Sequence, residues 1–187
     1  MIAIRPARPL DAVLLAELRW EFRAARGTTV ESRDAFVARC AGWMHKELAA
    51  GESWCAWVAE QAETERDAER RIVGQVWLHV IRKVPNPTTE LERHAYLSNL
   101  YVTPDARGGT GTRLLDAALA HAAAEGVDAI VLWPSPRSRS LYMRHGFTPN
   151  GPFSSGSRPP ADARVRPATA PTLTRAFRAS LRPLRRS

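Results

Sequence analysis

Residues 99–115 read Asn-Leu-Tyr-Val-Thr-Pro-Asp-Ala-Arg-Gly-Gly-Thr-Gly-Thr-Arg-Leu-Leu, and this stretch decides the fold. Residues 100–102 have the composition of a β-strand, and Pro104 ends it. A glycine-rich loop over 107–112 then leads into apolar residues at helical spacing: Leu114, Leu115, Ala118, Leu119 and Ala122. A strand, a glycine loop and a helix in this order aim free backbone N–H groups at one point, which lies at the positive end of the helix dipole. The segment therefore predicts a site for a pyrophosphate group.

Two familiar phosphate-binding loops fit this stretch poorly. A P-loop requires Gly-Lys-Ser/Thr at the start of the helix, and this loop contains no lysine. A dinucleotide-binding fingerprint requires G-x-G-x-x-G. Gly109 and Gly111 supply its first two glycines, but the third position is Leu114.

A third loop fits best, because the stretch resembles the acetyl-CoA-binding motif of the GNAT family of N-acetyltransferases. In that motif a strand ending in aliphatic-aliphatic-Val-x-Pro meets Arg/Gln-x-x-Gly-x-Gly/Ala. Downstream, residues 129–133 have the apolar composition of a buried strand. Residues 135–147 resemble the family's next helix, with Tyr142 shortly before Gly146-Phe147. The resemblance covers about residues 1–150 and is most specific from 96 to 147.

The glycine loop departs from the family pattern by one residue. The family usually has Arg-Gly-x-Gly-x-Gly, whereas residues 107–112 read Arg-Gly-Gly-Thr-Gly-Thr. Aligning Arg107 with the family's arginine would put Thr110 and Thr112 at positions where the family has glycines. We prefer to align Gly109 and Gly111 with the last two family glycines, because this keeps the helix register. Ser135 also stands where many members have Asn.

The predicted elements are strand 2–7, helices 10–25 and 33–49, strands 53–61, 71–84 and 94–102, helix 111–124, strand 128–133 and helix 136–145. The charged run 63–70 is the expected tip of a hairpin, and 85–93 a loop. This order predicts an α/β (α+β) fold with a mixed, mostly antiparallel sheet and helices on both faces, like the GNAT acyltransferase fold.

Charge divides the chain into a predicted domain over 1–153 and a tail over 154–187. Residues 155–187 hold eight arginines and one aspartate, and so carry seven of the eight net positive charges. The nearly neutral remainder argues against a nucleic-acid-binding core. We expect an Arg/Pro-rich, disordered tail. The alternative is a basic amphipathic helix over 172–184 on a membrane or acidic surface.

The two cysteines, Cys40 and Cys55, lack metal-binding or redox spacing and are expected to be reduced. No apolar run approaches the ~20 residues of a membrane span, and the amino terminus does not have the pattern of a signal peptide. We therefore expect a cytoplasmic protein without a metal ion or a membrane span.

The resemblance implies direct transfer of an acetyl group from acetyl-CoA, as cosubstrate, to a primary amine of a small molecule or peptide. It assigns the pantetheine arm to the strand residues Leu100, Tyr101 and Val102, with a bulge near Asn99 freeing backbone groups. It assigns the pyrophosphate to the loop residues Arg107, Gly108, Gly109, Thr110, Gly111 and Thr112. Arg113, Arg137 and Arg139 are further candidates for the phosphates.

Tyr142 matches the family tyrosine that hydrogen-bonds or protonates the leaving thiolate, which a phenol with a pKa of ~10 can do at neutral pH. The alternative is a packed aromatic on the last helix. The family has no fixed base, so several candidates stay open: Glu21, His79, Glu90, Glu92, His94, Ser98 and Asn99. Trp20 and Trp43 are candidates for the acceptor wall, with core or edge packing as the alternative. The other tryptophans, 54, 57, 77 and 133, are expected mostly in the core.

Other functions remain open at this level. The short loop allows a GNAT-fold module with weak or no catalysis, acting as an acyl-CoA-binding or regulatory domain. The tail allows binding to nucleic acid or a membrane surface, which would depend steeply on salt. The resemblance also leaves a homodimer open.

Overall fold

A computed structural model describes residues 1–25, 27, 29–62, 71–85, 87, 92–149 and 177–180. Its elements are β1 (Ile2–Pro6), α1 (Ala12–Ala24), α2 (Arg33–Ala50), β2 (Trp54–Gln61), β3 (Arg71–Arg82), β4 (Arg93–Val102), α3 (Thr110–Ala124), β5 (Ala129–Leu132), α4 (Arg139–Arg144), β6 (Thr148–Pro149) and β7 (Phe177–Ser180). The predicted order of strands and helices through α4 is confirmed. The predicted hairpin tip at 63–70 lies outside the described residues.

The strands form one sheet in the order β1-β2-β3-β4-β5-β7-β6. Every neighbouring pair is antiparallel except β4 and β5, which run parallel. α3 packs on one face with Leu114, Leu115 and Ala118 buried, and α1 and α2 pack on the other, where Leu15 and Met44 are buried. The predicted mixed, mostly antiparallel sheet with helices on both faces is confirmed.

A partly buried ion-pair network fixes the start of α1 against the edge of the sheet. The Arg5 guanidinium bonds the carboxylate of Asp11 at 2.8 Å and that of Glu60 at 2.9 Å. The Asp11 carboxylate also accepts the backbone N–H of Arg8 at 2.7 Å. Burial acts to raise the pKa of Asp11, but these hydrogen bonds outweigh it and hold the pKa below its ordinary value.

The segment expected to be a disordered tail contains strand β7. Residues 177–180 pair antiparallel with both β5 and β6, so the prediction of disorder is wrong for these four residues, as is the alternative of a helix there. β4 pairs with only one edge of β5, and the other edge offers unpaired backbone groups to any extended segment, whatever its composition. The rest of 150–187 lies outside the described residues.

Within the described part of the chain, no helix combines the length and apolar character needed to cross a bilayer.

Candidate active site

A β-bulge interrupts β4 at the centre of the sheet. Gln75 of β3 pairs with Tyr101, but Trp77, two residues on, pairs with Ser98, so β4 holds one extra residue between these pairs. Asn99 there has a φ of 56°, a left-handed conformation that asparagine tolerates better than most residues. The predicted bulge near Asn99 is confirmed. It changes which face of the sheet each following side chain meets.

The parallel strands β4 and β5 separate just before the bulge. Their parallel pairing ends at Tyr96 and Val131, although β4 continues to Val102. Among the described residues, the edge of β4 from 97 to 102 that faces β5 has no ladder partner. Its backbone groups therefore line an open slot in the middle of the sheet.

The glycine loop ends at the start of α3, close to the slot. Gly108 and Gly109 have φ values of 92° and 103°, which side-chain-bearing residues adopt only with strain. The N–H of Arg113 makes the first hydrogen bond of the helix turn, to the Gly109 carbonyl at 3.1 Å. The N–H groups of residues 110–112 precede that bond, so they are left without partners in the helix ladder.

A cavity of about 690 Å³ joins the bulge, the slot and the start of α3. Its lining includes six of the predicted site residues: Leu100, Tyr101, Val102, Arg107, Gly111 and Tyr142. The other four, Gly108, Gly109, Thr110 and Thr112, belong to the same loop and first turn without lining the cavity. The buried Thr110 hydroxyl donates to the Ala106 carbonyl at 2.7 Å and so braces the loop.

The half of the cavity on the α3 face, here the α3 half, is shaped by Gly111 and Tyr142. A Cβ on Gly111 would lie 3.9 Å from Val102 and 4.0 Å from Leu141, which is ordinary van der Waals contact. Tyr142 is only 5% exposed and packs edge-on against Phe147 at 5.6 Å. The tyrosine is thus both a packed aromatic and part of the cavity wall.

The half on the α1 face, here the α1 half, holds residues that the sequence analysis missed. Arg19, Phe22 and Arg23 line it from the end of α1, and their helical spacing is the one signal that places them together. Phe22 packs on Tyr101 at 5.3 Å. The Arg19 guanidinium donates to the Asn99 side-chain oxygen at 2.8 Å, which ties α1 to the bulge.

Of the four tryptophans expected mostly in the core, one lies differently from the prediction. Trp133, expected in the core, is 57% exposed and lines the cavity with Tyr96, whose ring lies 5.2 Å away, because β5 ends one residue earlier. Trp20 packs on Phe36 at 5.7 Å, and Trp43 packs on Trp54 at 5.3 Å. Neither Trp20 nor Trp43 lines the cavity, which leaves packing as their role.

Few of the candidate bases reach the cavity. Ser98 and Asn99 line it, but neither is a base at neutral pH. Glu21 does not line the cavity, but it contacts a residue that does. The hydroxyl of Tyr101 donates to the Glu21 carboxylate at 3.4 Å. Burial, followed by the charge of Glu21, raises the pKa of Tyr101.

The remaining candidate bases lie elsewhere. His79 stacks on Trp54 at 4.4 Å and lines a different cavity, while Glu92 and His94 do not line the first one. Glu90 lies outside the described residues. The described lining thus includes no histidine, aspartate, glutamate or lysine.

Of the three further phosphate candidates, Arg137 lines the cavity together with Arg107. Arg113 instead donates to the Ile2 carbonyl at 3.0 Å, and Arg139 is absent from the lining. Across the described residues, no three histidine, cysteine, aspartate or glutamate side chains are grouped to hold a metal ion.

A family model described as the acetyltransferase (GNAT) family matches residues 15–147 of the chain. No curated protein sequence matches this chain significantly.

Many solved structures share the fold. A predicted acetyltransferase from Clostridium acetobutylicum, solved with acetyl-CoA, is 23% identical with a TM-score of 0.67, over 84% of this chain and 96% of the other. A GCN5-related N-acetyltransferase from Ralstonia eutropha is 28% identical with a TM-score of 0.63, over 86% and 99%. The PaiA N-acetyltransferase of Thermoplasma acidophilum, in complex with coenzyme A, is 15% identical with a TM-score of 0.63, over 97% and 99%.

Proposed function

The chain belongs to the GNAT acetyltransferase family, and from that premise we propose that it transfers an acetyl group from acetyl-CoA directly to a primary amine of a small molecule or peptide. The observation that carries the proposal is a cavity that joins a helix N-terminus, a buried tyrosine and a strand edge that has no ladder partner in the described part of the chain. The related structures solved with acetyl-CoA or coenzyme A support the choice of donor. We assign the activity to a domain formed by residues 1–153 together with β7.

The α3 half of the cavity fits a coenzyme A pyrophosphate. The N–H groups of residues 110–112 and the positive end of the α3 dipole favour an anion. Gly111 leaves the approach to these N–H groups open, since it has no side chain. Arg107 and Arg137 line the same cavity and add positive charge. These features support the proposal that the loop holds the pyrophosphate, although it is one residue short of the family pattern.

Acetyl-CoA supplies the acetyl group as a thioester, so the reaction forms an amide C–N bond and breaks the C–S bond. The unpaired edge of β4 offers backbone N–H groups to the pantetheine arm and to the carbonyl oxygen, which gains negative charge during the reaction. The Tyr142 hydroxyl donates a proton to the departing sulfur. Holding the two reactants side by side in one slot is the main contribution of the protein.

The amine must be neutral to attack. Because the described cavity lining has no carboxylate or imidazole, we propose that the amine binds in its neutral form. The guanidinium group of Arg23, which lines the cavity, favours that form, since nearby positive charge lowers the pKa of an ammonium group.

The test measures thiol release from acetyl-CoA with a panel of primary amines and identifies the acetylated product by mass spectrometry. The informative variant is Gly111→Asp, which places a carboxylate in the first turn of α3. A negative charge there suits the helix dipole but repels a pyrophosphate. The matched control is Ala35→Asp, an exposed position in the first turn of α2, outside the cavity.

We expect acetylated product with the wild-type chain and with Ala35→Asp, and at least about a tenfold higher KM for acetyl-CoA with Gly111→Asp. Equal KM values for the two variants would contradict the proposed pyrophosphate site. Binding of coenzyme A without turnover of any amine would favour the alternative, a non-catalytic acyl-CoA-binding module.

A further inference from the structure

We propose that Cys55 and His121 form a thiol–imidazole pair, and that Cys55 is the residue at which the chain forms a mixed disulfide with a small disulfide compound. This inference does not depend on the proposed function, because it concerns a second cavity. No residue that the structure describes lines both cavities. The inference assigns a modification site and the chemical class of the compound that modifies it.

The second cavity has a volume of about 680 Å³ and lies at the end of α3 that is opposite the glycine loop. His121 and Glu125 line it from that end of α3, and Cys55 lines it from the start of β2. The side chain of Cys55 is only partly buried. A cavity of this size is in the range that takes a small molecule, so a small disulfide has room to reach the sulfur.

The Cys55 thiol has an imidazole as its partner. Its Sγ lies 3.4 Å from Nε2 of His121, which is hydrogen-bonding distance for sulfur. The His121 ring packs edge-on against Trp57 at 5.2 Å, and this contact holds the imidazole in place. In the tautomer that carries its proton on Nδ1, Nε2 can accept the proton of the thiol. A thiol next to such a base is a nucleophile that the base can activate.

The imidazole is needed because the surroundings disfavour the thiolate. Burial, followed by the charge of Glu125, raises the pKa of the Cys55 thiol. Free thiolate is therefore scarce at neutral pH, and His121 has to take the proton as the sulfur attacks.

The other charged groups around the cavity balance one another. The guanidinium of Arg93 donates to the carboxylate of Glu125 at 3.1 Å. The remaining charged or titratable residues of the described lining are Glu52 before β2 and His79 and Arg82 on β3. Two carboxylates thus face two guanidinium groups. This balance favours a neutral or zwitterionic disulfide over a highly charged one.

The reaction is a thiol–disulfide exchange. The Cys55 sulfur attacks one sulfur of the small disulfide, so a new S–S bond forms and the old S–S bond breaks. The other half of the compound leaves as a thiol and takes the proton that His121 has accepted. The Cys55 sulfur is oxidised and the departing sulfur is reduced, so the small disulfide is the only oxidant required.

Cys40 provides an internal control. It is also partly buried, and burial raises the pKa of its thiol too. Arg19 and Arg39 act to lower that pKa, whereas the charge of Glu125 raises that of Cys55. Nearby cations therefore favour Cys40 as the reactive thiol, and the imidazole favours Cys55. The relative rates at the two cysteines distinguish the two effects.

The experiment treats the full chain with bis(2-hydroxyethyl) disulfide, a neutral probe, and follows each cysteine by peptide mass spectrometry between pH 7 and pH 9. The variant is His121→Gln, which removes the proton acceptor. The control is His79→Gln, since His79 lines the same cavity but stacks on Trp54 at 4.4 Å. Thermal unfolding followed by circular dichroism checks that each variant is folded.

At pH 7 we expect Cys55 to be modified at least about tenfold faster than Cys40 in the wild type and in His79→Gln, and His121→Gln to remove most of this advantage. The rate at Cys40 should rise about tenfold per pH unit, because it follows the thiolate fraction of a group whose pKa lies above its ordinary value of 9.0. The rate at Cys55 should rise less steeply in the wild type, and as steeply as that at Cys40 in His121→Gln.

Modification of Cys40 as fast as Cys55 or faster would overturn the inference. So would a rate at Cys55 that is unchanged or higher in His121→Gln. A merely structural role for His121 predicts such a higher rate, since loss of its packing would expose the sulfur. If neither thiol reacts in the folded chain while both react in denaturant, the inference also fails. The proposed acetyltransferase function stands in each of these cases.

Discussion

At Gly74, β3 lies very close to β4, the strand whose opposite edge is assigned to the cofactor. Gly74 pairs with Val102 of β4. A Cβ at this position would lie 3.0 Å from the Tyr101 backbone oxygen, 3.1 Å from a methyl group of Leu114 and 3.1 Å from one of Val102. The backbone oxygen cannot rotate away as a side chain could. Replacing Gly74 by alanine must therefore move β4 next to the bulge.

The expected cost of Gly74→Ala follows from these contacts. Overpacking of a well-packed core typically costs about 1–3 kcal/mol. For a chain of this size each kcal/mol lowers Tm by roughly 2–4 °C, so we expect a fall of about 2–12 °C. The displaced strand should also weaken binding of acetyl-CoA. Thermal unfolding followed by circular dichroism measures the first effect, and calorimetric titration the second.

Gly42→Ala is the matched control. Gly42 lies inside α2, and a Cβ there would meet no atom within 4 Å. Because alanine favours a helix over glycine by about 1 kcal/mol, this variant should be as stable as the wild type or more so. A Gly74→Ala variant with a Tm equal to or above that of the wild type would refute the close approach of β3 and β4 described here.

Three further predictions concern single positions. Tyr142→Phe should lower kcat about 10- to 100-fold with little change in the KM for acetyl-CoA, and an unchanged kcat would remove the role of the hydroxyl. Gly109→Ala should lower the free energy of unfolding by about 1–3 kcal/mol, because Gly109 has a φ of 103°; chemical denaturation would reveal no loss if the loop were unstrained. Asp11→Asn should lower that free energy by about 1–3 kcal/mol at pH 7. Since the pKa of Asp11 is depressed in the folded chain, its contribution is present above the ordinary value of 3.8 and is lost as the pH falls through the folded pKa, so the two unfolding curves should converge in acid.

The strand, glycine loop and helix over 99–115 were predictable because each depends on local chemistry. Residues 100–102 have strand composition, Gly108 and Gly109 turn the chain, and the apolar spacing after Gly111 sets the face of α3 that is buried. The bulge near Asn99 was expected from the family resemblance. These features fix the α3 half of the cavity.

The α1 half was not predictable in the same way. Helical spacing puts Arg19, Phe22 and Arg23 on one side of α1, but it does not tell which point of the sheet lies beneath the end of that helix. That depends on the tertiary contact between Arg19 and Asn99, 80 residues apart. Trp133 follows the apolar residues of a buried strand, so the sequence indicates that it is buried too. It lies one residue past the end of β5, where the chain leaves the core.

Strand β7 escaped prediction because its existence depends on a partner far away in the sequence. Residues 177–180 pair with β5 through backbone hydrogen bonds, which any non-proline residue can make. Composition around these residues is rich in arginine and proline and indicates disorder. Pairing with the edge of β5 that β4 leaves open stabilises the strand more than the local composition disfavours it.

The central claim is that this cavity binds the cofactor of an acetyltransferase, and calorimetric titration of the full chain with acetyl-CoA tests it most directly. Desulfo-CoA serves as a second ligand, since it keeps the pyrophosphate and the pantetheine arm but lacks the thiol. We expect one site per chain with a Kd in the micromolar range for both ligands, and weaker binding of both by Gly111→Asp. No binding of either ligand at millimolar concentration would contradict it.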